Sequence, residues 1–160
     1  MKARLYAIVF AALSLTGVST AVLADNDSNN VSWKRVIGII QAGNVVGNIA
    51  GGGMPWSTLG GEALVNLRTG HVEFEVRGLV LAGGNTIGTR GSVDQVKGTI
   101  ACGSGAPNQT DTPLVPLSAQ GKAGFEGNIH VPASCTESNV VFLIRVAAGR
   151  WIANGTVRSP

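Results

Sequence analysis

Three times along the chain an apolar, strand-like run breaks into four residues with glycine third, then resumes as a second apolar run. The first unit is residues 36–40, the break Gln41-Ala42-Gly43-Asn44 and residues 45–49. The second is 63–67, Arg68-Thr69-Gly70-His71 and 72–76; the third is 140–146, Ala147-Ala148-Gly149-Arg150 and 151–157. Apolar runs this short, spaced this closely and cut by turn residues predict antiparallel hairpins and leave little room for helices. Residues opposite each other in a hairpin share a face, so loop length can be tested against the apolar pattern. A four-residue loop, commonly built on a type I turn, sets Leu67 opposite Val72, Val65 opposite Phe74 and Ala63 opposite Val76. In the third unit it sets Val146 opposite Trp151, Ile144 opposite Ala153 and Val140 opposite Val157. By the same reckoning His71 falls in the loop, and Glu73 and Glu75 face solvent.

The remaining chain extends the pattern. Residues 93–102 read as a strand with Val96, Ile100 and Cys102 on one face and Gln95, Lys97 and Thr99 on the other. A further hairpin is expected between 114–119 and 123–131, turning at Gln120-Gly121-Lys122. In residues 72–81 the apolar phase switches at Gly78, which predicts a bulge or bend there. About nine strands result, so the expectation is an all-β fold: an antiparallel β-sandwich, with a small β-barrel as the alternative. It occupies residues 33–160 as a single domain, after a flexible polar start at 25–32.

Residues 1–24 predict a secretory signal peptide. Lys2 and Arg4 precede an uncharged apolar stretch, and Val22-Leu23-Ala24 gives a small-residue cleavage pattern before Asp25. Of the 12 basic residues, those two leave 10 against 9 acidic ones in the expected mature chain. That balance provides no electrostatic footprint for nucleic acid. No second long apolar stretch predicts a membrane span in the mature chain. Cys102 and Cys135, an even pair in an exported chain, predict a structural disulfide. Closing a loop of this size contributes roughly 3–4 kcal/mol in the chain-entropy view.

Few residues suggest chemistry. Asp25 to Asn29 imitate the opening of an EF-hand loop, but Asn30 stands where its glycine belongs and Val36 where its bidentate glutamate belongs. His71, Glu73 and Glu75 alternate, which could suit a metal on one strand face; the hairpin register makes them a solvated edge instead, and no metal is expected. His130, Glu126 and Asn128 share a polar face, but no G-x-S-x-G elbow accompanies either histidine, and no catalytic residue is assigned. The most unusual segment is 51–61, three glycines followed by Met54-Pro55-Trp56-Ser57-Thr58-Leu59-Gly60-Gly61. It lacks the Gly-Lys-Ser/Thr ending of a phosphate loop. Met54 and Trp56 could form a recognition surface on a rigid scaffold, or Trp56 could fold inward and cap the core. Asn26, Asn30, Asn108 and Asn154 begin N-x-Ser/Thr sequons.

Residues 61–67 and the return run 72–79 resemble the repeating hairpin of CHRD-type extracellular β-domains. The likeness ends where that family carries a histidine-containing stretch, since Leu81-Ala82-Gly83-Gly84-Asn85 follows here. The whole chain also resembles small exported bacterial β-proteins of unassigned role. Neither resemblance implies a functional residue. The expected function is a secreted or periplasmic β-domain, without cofactor, that has a non-catalytic binding or structural role toward an envelope or extracellular partner. The alternative is a secreted hydrolase or metal-dependent enzyme using His71 or His130 with nearby acids.

Overall fold

The computed structural model describes residues 29–103 and 108–158. The expected signal peptide, the polar residues 25–28 and the Asn26 sequon lie outside them. The described chain is all-β. Its strands are β1 (Asn30–Gly38), β2 (Val45–Val46), β3 (Ile49–Ala50), β4 (Trp56–Ser57), β5 (Gly60–Asn66), β6 (His71–Arg77) and β7 (Val80–Leu81). They continue with β8 (Gln95–Cys102), β9 (Gln109–Asp111), β10 (Val115–Pro116), β11 (Ala123–Asn128), β12 (Val140–Val146) and β13 (Trp151–Arg158). Nine of these form one antiparallel sheet in the order β10-β8-β12-β13-β1-β5-β6-β11, with β9 also on β8. The sheet is strongly curled, and its two ends, β10 and β11, touch. Aromatic rings record the curl: Phe142 of β12 lies 5.5 Å from Phe74 of β6 and 5.8 Å from Trp33 of β1. Three strands separate β12 from β6 in the sheet, yet their rings pack across the interior.

Of the three expected hairpins the second and third form and the first does not, and several partners differ from expectation. Strand β1 begins at Asn30, inside the polar start, because Val31 is buried opposite Val65. Its second half pairs with β13, Val36 opposite Gly155, and not with residues 45–49. Those residues instead fold on themselves: Gly47 and Asn48, at φ 55° and 61°, join Val46 to Ile49. Two central residues with positive φ give the turn whose twist suits a hairpin.

In the β5–β6 hairpin the partners shift by two, Val65 opposite Val72 and Ala63 opposite Phe74. The Asn66 side chain causes it. Its Oδ1 accepts the Arg68 and Thr69 amides at 3.0 and 2.8 Å, while its carbonyl takes Gly70 N–H at 2.9 Å. This side-chain turn closes the chain before Leu67, so His71 opens β6 instead of lying in the loop. A shift of two leaves every face unchanged.

In β12–β13, Ile144 does face Ala153, but a bulge follows and Trp151 lies opposite Arg145, not Val146. The expected turn at Gln120-Gly121-Lys122 exists, closed by Ser118 N–H donating to the Lys122 carbonyl at 2.9 Å. Its arms part, however: β10 joins β8 and β11 joins β6, so this turn links the two ends of the sheet. Gly78 adopts φ 64°, the bend expected there, and β7 continues beyond it to pair with β4.

The bulge has a structural consequence. It turns Trp151 outward, where residues 39–52 cover it as a second layer over β8, β12 and β13. Trp151 Nε1 donates to the Asn44 carbonyl at 3.1 Å, and Gly52 N–H to the Trp151 carbonyl at 2.8 Å. Gly51 must be glycine, because a Cβ would run into Ile39 and the Asn44 carbonyl. Coverage on both faces is why Trp151, Ile152 and Ala153 are all buried in succession.

The Cys102–Cys135 disulfide is present, with Cα atoms 5.1 Å apart, and ties the loop before β12 to the end of β8. It suits an oxidising environment. No described helix is long and apolar enough to cross a membrane.

Candidate functional site

Two concave regions stand out, and sheet geometry produces both. The larger lies where the sheet opens between β1 and β5. Their ladder ends at Trp33 opposite Ala63; beyond it β1 pairs with β13 up to Gly38, and residues 60–62 pair with β6. The apolar phase of β1 slips at the same place, leaving Lys34 and Arg35 both exposed between buried Trp33 and Val36. The strands therefore diverge into a groove of about 930 Å³. Residues 56–59 cross its end, anchored by Trp56 N–H on the Ile39 carbonyl at 2.8 Å and Thr58 Oγ1 on the Val36 carbonyl at 2.7 Å.

The groove walls carry Lys34, Arg35 and Arg77 against Glu62 and Glu75. Arg77 and Glu75 are 3.9 Å apart and well exposed, an ion pair of little energetic weight. Apolar side chains line the same walls: Ile37, Ile40 and Leu59 are 39%, 83% and 89% exposed. Exposed aliphatic side chains beside Lys34 and Arg35, which form no ion pair among the described residues, make a surface suited to a ligand that is part apolar and part anionic.

The second region lies on the outer face of three neighbouring strands. Ladder register places Arg145 of β12 opposite Lys97 of β8, and Asp111 of β9 opposite Thr99 of β8. Two like charges directly opposite destabilise a sheet, and Asp111 removes that conflict by lying between them. Its Oδ2 is 2.6 Å from Lys97 Nζ; its Oδ1 accepts Thr99 Oγ1 at 2.6 Å and Arg145 Nη1 at 3.1 Å. Burial pushes the Asp111 carboxyl upward, but hydrogen bonds from Lys97 and Thr99 and the charges of Arg145 and Lys97 outweigh it. Its pKa lies below the ordinary aspartate value. Arg145 Nε also donates to the Gly149 carbonyl at 2.6 Å, which fixes the guanidinium against the β12–β13 turn.

The residues singled out in the sequence are dispersed. Trp56 is buried opposite Leu81 and lines the groove, while Met54 is 40% exposed beside Gly84. His71 is half-buried opposite Asn128, and His130 is exposed beyond the end of β11. Glu73 and Glu75 are exposed, on the solvent face expected of them. Among the described residues no three His, Cys, Asp or Glu side chains gather as a metal site would require. The Lys97–Asp111–Arg145 cluster was not anticipated. One signal does point to it: an arginine inside the apolar run Val140–Val146, which requires a partner if buried.

Comparison with known proteins adds no relative: no protein-family model, no curated protein and no solved structure matches this chain.

Proposed function

We propose that this protein is an exported, non-catalytic binding domain that holds an extended, acidic segment of a partner polypeptide in the β1–β5 groove. The observation carrying this reading is the parting of the sheet at Trp33 and Ala63, which leaves two diverging strand edges, with Lys34 and Arg35 on β1, Glu62 on β5, and Arg77 of β6 lining the same groove. An extended chain alternates its side chains between two sides. Acidic residues on one side would meet these cations, and apolar residues on the other would meet Ile37 and Leu59. The oxidised Cys102–Cys135 pair and the signal-like residues 1–24 support a secreted or periplasmic location, where such a partner would be an envelope or extracellular protein.

Trp56 provides the readout. Titration with a synthetic peptide of alternating valine and glutamate should quench or shift tryptophan fluorescence saturably, and salt should weaken the effect. The Trp56→Phe protein should lose the signal, and Arg35→Glu should lose the binding. A valine–glutamine peptide should bind more weakly. Fluorescence unmoved by the acidic peptide, or binding unchanged in Arg35→Glu, would overturn the reading.

A further inference from the structure

We infer that a recess at the β12–β13 turn, separate from the groove, binds an oxyanion carried by a small hydroxyl-bearing ligand. The recess has a volume of about 390 Å³ and is lined by Arg145, Gly149 and Arg150 from the turn, by Asn48 from the β2–β3 hairpin, and by Asn108 and Gln109 at the start of β9. Arg145 is the built element. It is a buried charged residue whose side chain is only 11% exposed, with Nε on the Gly149 carbonyl and Nη1 on Asp111. Its Nη2 has no hydrogen-bond partner among the described residues. A guanidinium held by two of its nitrogens presents the third without further ordering cost, the preorganisation that strengthens recognition of planar oxyanions.

Arg150 supplies a second guanidinium. Its Nη1 donates to the Gly51 carbonyl at 3.0 Å, so the second layer positions it over the same recess. Asp111 does not repel an incoming anion strongly, because Lys97, Thr99 and Arg145 occupy both of its oxygens. Three cations, Lys97, Arg145 and Arg150, then stand against one carboxylate. The side-chain amides of Asn48, Asn108 and Gln109 each offer a donor and an acceptor, which suits hydroxyl groups next to the anion. A carboxylated sugar and a phosphate share the oxyanion chemistry that the two arginines recognise.

Isothermal titration with galacturonate, inorganic phosphate and galactose tests this and separates the sources. Galacturonate or phosphate, or both, should bind saturably in a salt-sensitive way, and galactose should not. Binding of galacturonate alone would identify a carboxylate ligand, and of phosphate alone a phosphate ligand. Arg150→Ala should weaken binding by about tenfold or more with an unchanged melting temperature, since Arg150 is exposed. Arg35→Glu should leave it intact, which separates this site from the groove. Three results would overturn the inference: no binding of either anion up to about 10 mM, galactose binding as tightly as galacturonate, or Arg150→Ala binding like the parent.

Discussion

The groove and the recess both present cations, but they differ in how these charges are held. In the groove, Lys34 and Arg35 extend from a strand that has left its neighbour, and among the described residues they have no fixed side-chain partner. In the recess, Arg145 is clamped by Asp111 and Gly149, and Arg150 rests on a layer built around Trp151. Free side chains lose rotamer entropy only when a ligand arrives; clamped ones lost it during folding. The contrast teaches where a substitution should register: as lost stability at the clamped Lys97–Asp111–Arg145 cluster, and as lost binding at the exposed cations Arg150, Lys34 and Arg35.

Trp151→Ala should break this contrast most severely. It removes the side chain on which residues 39–52 rest and should cost about 3–5 kcal/mol, measured by urea denaturation. Arg150 should lose its placement with it. A loss below about 1 kcal/mol would mean that the second layer contributes little.

Asp111→Ala comes next. It leaves Lys97 and Arg145 opposite each other without their shared carboxylate, and should cost about 1–3 kcal/mol, since Asp111 is partly exposed. The sign of its pH dependence follows from its lowered pKa. The ionised carboxylate stabilises the fold above the unfolded-state value of about 3.9, and that contribution is lost as pH falls through the lower folded value. The stability gap between the parent and Asp111→Asn should therefore be constant near neutrality and shrink below about pH 4. A gap that persists undiminished at strongly acidic pH would contradict the charge argument.

Lys34→Glu should be the mildest in stability, within about 0.5 kcal/mol of the parent. Its effect should appear in the peptide titration, sharpening the contrast from the other side. A substantial fall in the urea midpoint would show that the groove cations also support the fold.

How much of this could be read from the sequence depends on what each feature changes. The bend at Gly78, the solvent face of Glu73 and Glu75, the disulfide and the all-β class were legible because they alter which face a residue occupies or follow from residue chemistry. The two-residue shift in β5–β6 was not, because Ala63 and Val65 stay inward in either register. Only the hydrogen-bonding capacity of Asn66, set against the start of the turn, distinguishes the two. The bulge before Arg145 escaped for another reason. Trp151 is apolar, and the pattern places an apolar residue inside; an outer layer that also needs one leaves no periodic trace. The groove depends on β1 changing partner midway, and pairings between distant strands are not encoded in periodicity. Its local mark, Lys34-Arg35 interrupting an apolar strand, was in plain view.

One feature of the sheet order also bears on how the chain acquires its shape. Strand β13, the last described, lies between β12 and β1. Without it the ladder separates into β10-β8-β12 and β1-β5-β6-β11, each with a bare edge at the missing seam. Residues 151–158 therefore act as a keystone. A chain wired this way stays open along that seam until residues 151–158 pair on both sides.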